Sequence, residues 1–247
     1  MTPISLVWIT PNAEQLLGSI ARVSNPSNQS NPNVSKLLAY MIEHEHWSPF
    51  EMASMCIEIN TTRDIGRQIL RHRSFSFQEF SQRYADASQL GDMVLRECRL
   101  QDNNNRQNSL ATENTLSINA WADAQRQVGE ATLSTYNKAL KFGIAKEVAR
   151  AVLPEGMTPS RMYMTGTIRS WMHYLKSRLH ESTQKEHREI AEDVRSIFRE
   201  QLPIVYDAFF VAPAEKREDL LLAFDKALRT DDRPSKLRSL FAEALDL

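Results

Sequence analysis

At 247 residues, with 42% hydrophobic and 25% charged side chains, the chain can bury a substantial core and has the composition of a soluble globular protein. A formal net charge of -1 lacks the basic surplus usual in proteins that grip long nucleic acid, so its arginines suit a small phosphorylated ligand better than a polymer. Cys56 and Cys98 form neither a Cys-x-x-Cys pair nor a His-Cys metal spacing, and the apolar run Ile4 to Ile9 is too short for a signal peptide or a span, so a cytoplasmic protein without disulfides, metal or membrane partner is expected.

The β-branched and aromatic run Ile4 to Thr10 predicts a strand, and Pro11 to Ala21 a short helix. Residues 25 to 32, rich in Asn, Ser and Pro, predict a loop. Leu37, Leu38, Met41 and Ile42 share one face of a helix from Val34 to Glu45, which His46 to Glu51 then breaks. Alternating Met55, Ile57 and Ile59 predict a half-buried strand from Met52 to Asn60. Thr61 with Asp64 reads as a capping box opening a helix to about His72, with Ile65, Ile69 and Leu70 facing inward and Asp64, Gln68 and Arg71 along a polar stripe.

Phe75 to Tyr84 reads as extended or loop, and Met93 to Leu100 as a strand. Residues 101 to 117, crowded with Asn, Gln, Ser and Thr, read as an exposed excursion. Helices follow over Ile118 to Phe142 and Lys146 to Leu153, the latter ended by Pro154. Ser160 to Thr167 reads as a strand, and Ile168 to His180 and Gln184 to Glu200 as helices. Ile168, Met172, Leu175 and Leu179 form the buried stripe of the first of these, while His187 on the second is expected at the surface. Pro203 to Leu247 is a charged, helix-prone tail broken near Arg229 to Pro234. Strands and helices mix without a strict βαβ alternation, so the fold class is α+β: a central, mostly antiparallel sheet flanked by helices.

The chemistry concentrates in Arg71 to Tyr84, where three arginines, a histidine, a glutamate and three serines fall within fourteen positions. Guanidinium groups pair bidentately with phosphate, and hydroxyls and amides orient it, so this segment reads as an anion site. With seven glycines and no Gly-x-Gly-x-x-Gly, any nucleotide must be held by side chains and helix ends. No nucleophile is evident: Cys56 alternates with apolar neighbours and reads as a buried, inert thiol, and Ser81 has no base beside it in sequence. Chemistry therefore belongs to a cofactor. A phosphate-recognising RNA module is disfavoured by the neutral net charge and by the lack of an RNP or KH pattern.

Arg71-His72-Arg73, seven intervening residues and then Ser81 resemble the signature of the flavin-dependent thymidylate synthases, the family usually written ThyX. The likeness runs on through Gln78-Glu79-Phe80-Ser81-Gln82-Arg83-Tyr84, with His46 to Glu51 before it and Arg150 to Pro154 and Thr167 to Arg178 after it, and covers roughly residues 1 to 210. The sequence departs from common family residues at Gln78, Gln82 and Thr167, where Asn, Gly and Asn are frequent.

The resemblance implies a synthase domain over residues 1–212 with a helical C-terminal extension over 213–247. It implies conversion of dUMP to dTMP with methylenetetrahydrofolate as carbon donor and FAD, reduced by NADPH, as hydride carrier, without an enzyme nucleophile; a catalytically idle flavin- or nucleotide-binding relative is the alternative. By resemblance, Ser48, Arg71, His72, Arg73, Glu79, Thr167, Ile168, Arg169 and His173 would lie on FAD. Gln68, Ile69, Leu70, Arg71, Glu79, Phe80, Ser81, Gln82, Arg83, Arg150 and Arg178 would hold dUMP, with Arg178 polarising the uracil ring. A homotetramer with shared active sites is implied as well. His173 and Arg178 point about 140° apart on a helix, which suits a site assembled from more than one chain.

Overall fold

The computed structural model describes residues 4–211. In chain order they form β1 (Ile4–Ile9), α1 (Ala13–Ala21), α2 (Ser35–Glu43), β2 (Ser54–Thr62), α3 (Arg63–Ile69), β3 (Ser76–Glu79), β4 (Arg99–Gln101), β5 (Ser109–Ala111), α4 (Thr115–Lys141), α5 (Lys146–Ala149), β6 (Pro159–Thr167), α6 (Ile168–Arg178), α7 (Lys185–Gln201) and α8 (Pro203–Phe210). The helical extension expected from 213 onward lies outside the described residues, as does the break expected near Arg229. The chain divides into two compact units, one taking in β1 and Ser54–Arg195, the other Thr10–Ala53 and the residues from Ser196.

The first unit is built on a four-stranded sheet in the order β1-β2-β6-β3, every pair antiparallel, as the α+β reading expects. Alternation in β2 does what its period requires: Met55, Ile57 and Ile59 are fully buried, opposite Gly166, Met164 and Met162 of β6. The strand begins and ends two residues later than its composition suggests, because its limits follow pairing with β6. Gly166 is required by close approach. A Cβ there would lie 2.4 Å from the Phe75 ring, and that ring meets Trp171 edge-on with centroids 4.8 Å apart. Trp171 in turn donates from Nε1 to the Met55 carbonyl at 3.0 Å, so the residues after α3 are anchored to the sheet through Phe75.

Two local expectations fail here for one reason, the placement of Arg96. The N-cap of α3 is Thr62, and no side chain caps the helix. Instead of a Thr61–Asp64 capping box, the Thr62 hydroxyl donates to Asp64 at 2.5 Å, and Arg96 donates to both Thr62 and Asp64. The expected strand Met93 to Leu100 is reduced to Arg99–Gln101, because the backbone of Arg96 bonds both ends of the Gln125 carboxamide instead of a neighbouring strand. The polar excursion is largely a hairpin, β4 against β5, whose turn is held by Asp102 accepting from the Asn104 and Asn105 N–H groups and the Asn108 amide. Asn114 then caps α4, which starts at Thr115. That helix docks through fully buried Tyr136, packed with Ala87, Ala149 and Leu153, its hydroxyl accepting from the Ala87 N–H.

In the second unit Leu17, Leu38, Phe50, Phe198, Leu202 and Val205 are buried. Close packing of α1 requires Gly18, where a Cβ would meet Val34 Cγ1 at 2.2 Å. Glu14 accepts from the Val205 N–H at 2.8 Å, and burial raises its carboxyl above the ordinary range. Ser48 stands exposed on a 3-10 turn, Ser48–Glu51.

Candidate active site

The site is organised by α6. Thr167 ends β6 and caps the helix, accepting from the Ser170 N–H at 3.2 Å. Eleven helical residues then run roughly 16 Å, bringing Arg178 in the last turn to the residues that follow α3. The buried face is wider than the expected stripe, since Trp171 and Tyr174 join Ile168, Met172 and Leu175, whereas Leu179 is only half-buried.

Arg178 donates from Nε to Nε2 of His72 at 2.8 Å. Burial first, then the charges of Arg178 and Arg71, push the His72 imidazole down to about 4, so it is neutral near pH 7 and carries its proton on Nδ1. Among the described residues no carboxylate pairs with Arg178, which is half-buried. A partly desolvated cation held by a neutral acceptor is short of a counter-ion, and an anionic or charge-accumulating ligand supplies one.

Behind His72 lies a wall that the sequence reading missed. Tyr174 meets the His72 ring edge-on at 5.0 Å, and His187 meets it at 6.3 Å. His187, expected at the surface, is fully buried: its Nε2 lies 3.2 Å from the Tyr174 hydroxyl and its Nδ1 3.3 Å from Gln68 Oε1. The signal was present, because His187 falls on the same helical stripe as buried Ile190, Ala191, Val194 and Phe198. Tyr174 was likewise legible as the i, i+4 neighbour of Arg178. Burial, then Arg178 and His72, lower His187 to about 3, and burial raises the Tyr174 phenol. The structure thus brings Gln68, His72 and Arg178 together.

The other predicted residues of the first unit fall into two sets. Arg71 and Arg73 are exposed, and neither has an ion-pair partner among the described residues. Glu79 turns inward, accepting from Ser160 Oγ at 2.6 Å with Arg63 3.7 Å away. Gln82 is 3% exposed, and its Nε2 is a buried donor with no partner among the described residues. Arg83 pairs with Glu147 at 3.2 Å, and Lys146 donates to the Tyr84 carbonyl, so α5 sits against the loop after Ser81. Arg150 follows directly in a 3-10 turn and has no ion-pair partner among the described residues. Side chains of Ile69 and Ile168 are fully buried, which leaves only their main chain to meet a ligand. Leu70, Phe80, Thr167 and Arg169 are half-buried, while Ser81 and His173 are exposed. A cavity of about 360 Å³ lined by Thr62, Arg96, Glu186 and Asp193 contains none of the predicted site residues.

The two low histidines set a pH dependence. Between their folded values of about 4 and about 3 and the ordinary 6.5, the unfolded chain binds protons that the folded chain refuses, so stability rises with pH. Denaturant midpoints are expected to be level above about pH 6.5 and to fall as the pH drops from there toward about 4. Midpoints that stay constant across that window would show that these imidazoles are not held neutral.

The family model for the thymidylate synthase complementing protein matches residues 5–204. A probable flavin-dependent thymidylate synthase of Paramecium bursaria Chlorella virus 1 is 47% identical over 197 residues, covering 79% of this chain and 90% of the relative. A flavin-dependent thymidylate synthase of Synechocystis is 50% identical over 192 residues, 78% of this chain and 87% of the relative. Among solved structures, the UMP/dUMP methylase PolB from Streptomyces cacaoi, bound with 5-Br dUMP, aligns with a TM-score of 0.68 at 26% identity, over 83% of this chain and 93% of that one.

Proposed function

This chain belongs to the flavin-dependent thymidylate synthases, and from that membership we propose that it converts dUMP to dTMP with methylenetetrahydrofolate as carbon donor and NADPH-reduced FAD as hydride carrier. The observation that carries the reading is Arg178, a half-buried guanidinium fixed by neutral His72 and without a carboxylate partner among the described residues. With Nε engaged, its remaining N–H groups are free to meet a ring edge. A uracil ring becomes a better nucleophile at C5 when a fixed cation stabilises negative charge on its N3 and carbonyl edge, and that is the role of Arg178. His72 orients the guanidinium without neutralising it. Protonation of His72 would remove the acceptor and set two cations against each other.

The donor set suits the two anions. Arg83 and Arg150, flanking α5, would take the nucleotide phosphate with Ser81. Arg71 and Arg73, which have no carboxylate partner among the described residues, suit the pyrophosphate of FAD, and the buried Gln82 donor suits a ligand oxygen. When bound, FAD would supply the hydride. Burial raises the Cys56 thiol, which lies within β2, so that cysteine is poorly suited to act as a nucleophile.

A homotetramer is part of the proposal. Exposed Leu116, Trp121 and Val128 on α4 support self-association. The purified protein is expected to take up FAD with visible flavin absorbance and to have the mass of four chains in solution. Colourless protein after incubation with FAD sinks the cofactor assignment, and a chain that turns over as a monomer sinks the tetramer.

A further inference from the structure

A chain of hydrogen bonds runs from Glu186 to Tyr174, and one end fixes its direction. Burial opposes charge on Glu186, but the hydrogen bond from Arg99 at 2.6 Å and the charge of Arg96 outweigh it and keep the carboxylate ionised. An ionised carboxylate only accepts, so the Gln184 group 2.9 Å from it is the Nε2 amide, and the Gln184 oxygen faces the other way. That oxygen lies 2.7 Å from Gln68 and receives its Nε2, which turns the Gln68 oxygen toward His187. His187 must therefore donate from Nδ1. Its bare Nε2 then accepts the Tyr174 hydroxyl proton.

We infer that His187 is a positioning residue that holds the Gln68 carboxamide with its oxygen turned inward, so that Gln68 meets its ligand as an N–H donor. The inference rests on the proposal that dUMP occupies this site. One Nε2 hydrogen of Gln68 is used by Gln184, and the other remains for an acceptor oxygen of the nucleotide. Together with Arg71 and Arg178 this makes the ligand-facing edge donor-only, and it selects a carbonyl or phosphate oxygen over an N–H group.

Paired substitutions separate this role from simple packing. Asn at 187 can keep a donor near the Nδ1 position and loses the Nε2 acceptor, whereas Gln reaches the Nε2 position and loses the donor to Gln68. Calorimetric titration of dUMP into the flavin-loaded full chain is expected to give a dissociation constant within about threefold of the parent for His187→Asn and about tenfold weaker for His187→Gln. If the parent binds dUMP and both variants weaken it equally, or His187→Gln does not weaken it, the inference is overturned while the function stands. A parent that binds no dUMP overturns both. Should either variant fail to fold, nitrogen-15 shifts of the parent decide: a proton on Nδ1 and a bare Nε2 of His187 near neutral pH support the inference, and the opposite tautomer or an imidazolium defeats it.

Discussion

Arg178→Ala is expected to slow dTMP formation by about two to three orders of magnitude while the protein keeps its flavin colour. The magnitude is that of removing one preorganised charge aimed where negative charge develops, and Arg178 has the two properties this demands. It is held in place by His72 at 2.8 Å, and among the described residues no carboxylate takes up its charge. Arg178→Lys tests orientation separately from charge. Lysine keeps the cation but lacks the planar fork that can bond the imidazole and a ring edge at once, so a loss of at least about tenfold is expected. Turnover near the parent rate in Arg178→Ala would remove this residue from its role. Loss of colour in the same variant would move it from substrate activation to flavin binding.

Arg150→Ala is expected to weaken dUMP binding by about 1.5 to 3 kcal/mol, the range for a hydrogen bond to a charged group, and Arg83→Ala by less. The difference follows from Glu147, whose carboxylate already engages Arg83 at 3.2 Å; phosphate must compete for that guanidinium, whereas Arg150 has no ion-pair partner among the described residues. Both Arg83 and Glu147 are largely exposed, so their pair is worth little by itself, and Glu147→Gln is expected to tighten dUMP slightly. Equal losses from Arg83→Ala and Arg150→Ala would show that Glu147 does not divert Arg83. The measurement is the dUMP dissociation constant at fixed ionic strength, because phosphate contacts are screened by salt.

What could be read from the residues alone was whatever local pattern controls. Alternation at Met55, Ile57 and Ile59 determined which face of β2 is buried, and the density of guanidinium and hydroxyl groups from Arg71 to Tyr84 marked that segment as the candidate anion site. Failures came where distant residues override local preference. Thr61 and Asp64 have the spacing of a capping box, but Arg96, more than thirty positions away in sequence, claims Asp64. Residues 93 to 98 have strand composition, yet a glutamine side chain on α4 bonds the backbone of Arg96. His187 looked like a solvated residue on a charged helix, and its partner Gln68 lies 119 positions earlier. Its burial could have been read from its place on an apolar stripe, whereas its contact with Gln68 required the fold.

The most direct test of the central claim is dTMP formation by the flavin-loaded protein supplied with dUMP, methylenetetrahydrofolate and NADPH. Formation of dTMP that depends on all three, and that Arg178→Ala slows by about two to three orders of magnitude without loss of colour, is the expected result. A coloured, folded protein that binds dUMP and yields no dTMP would contradict it.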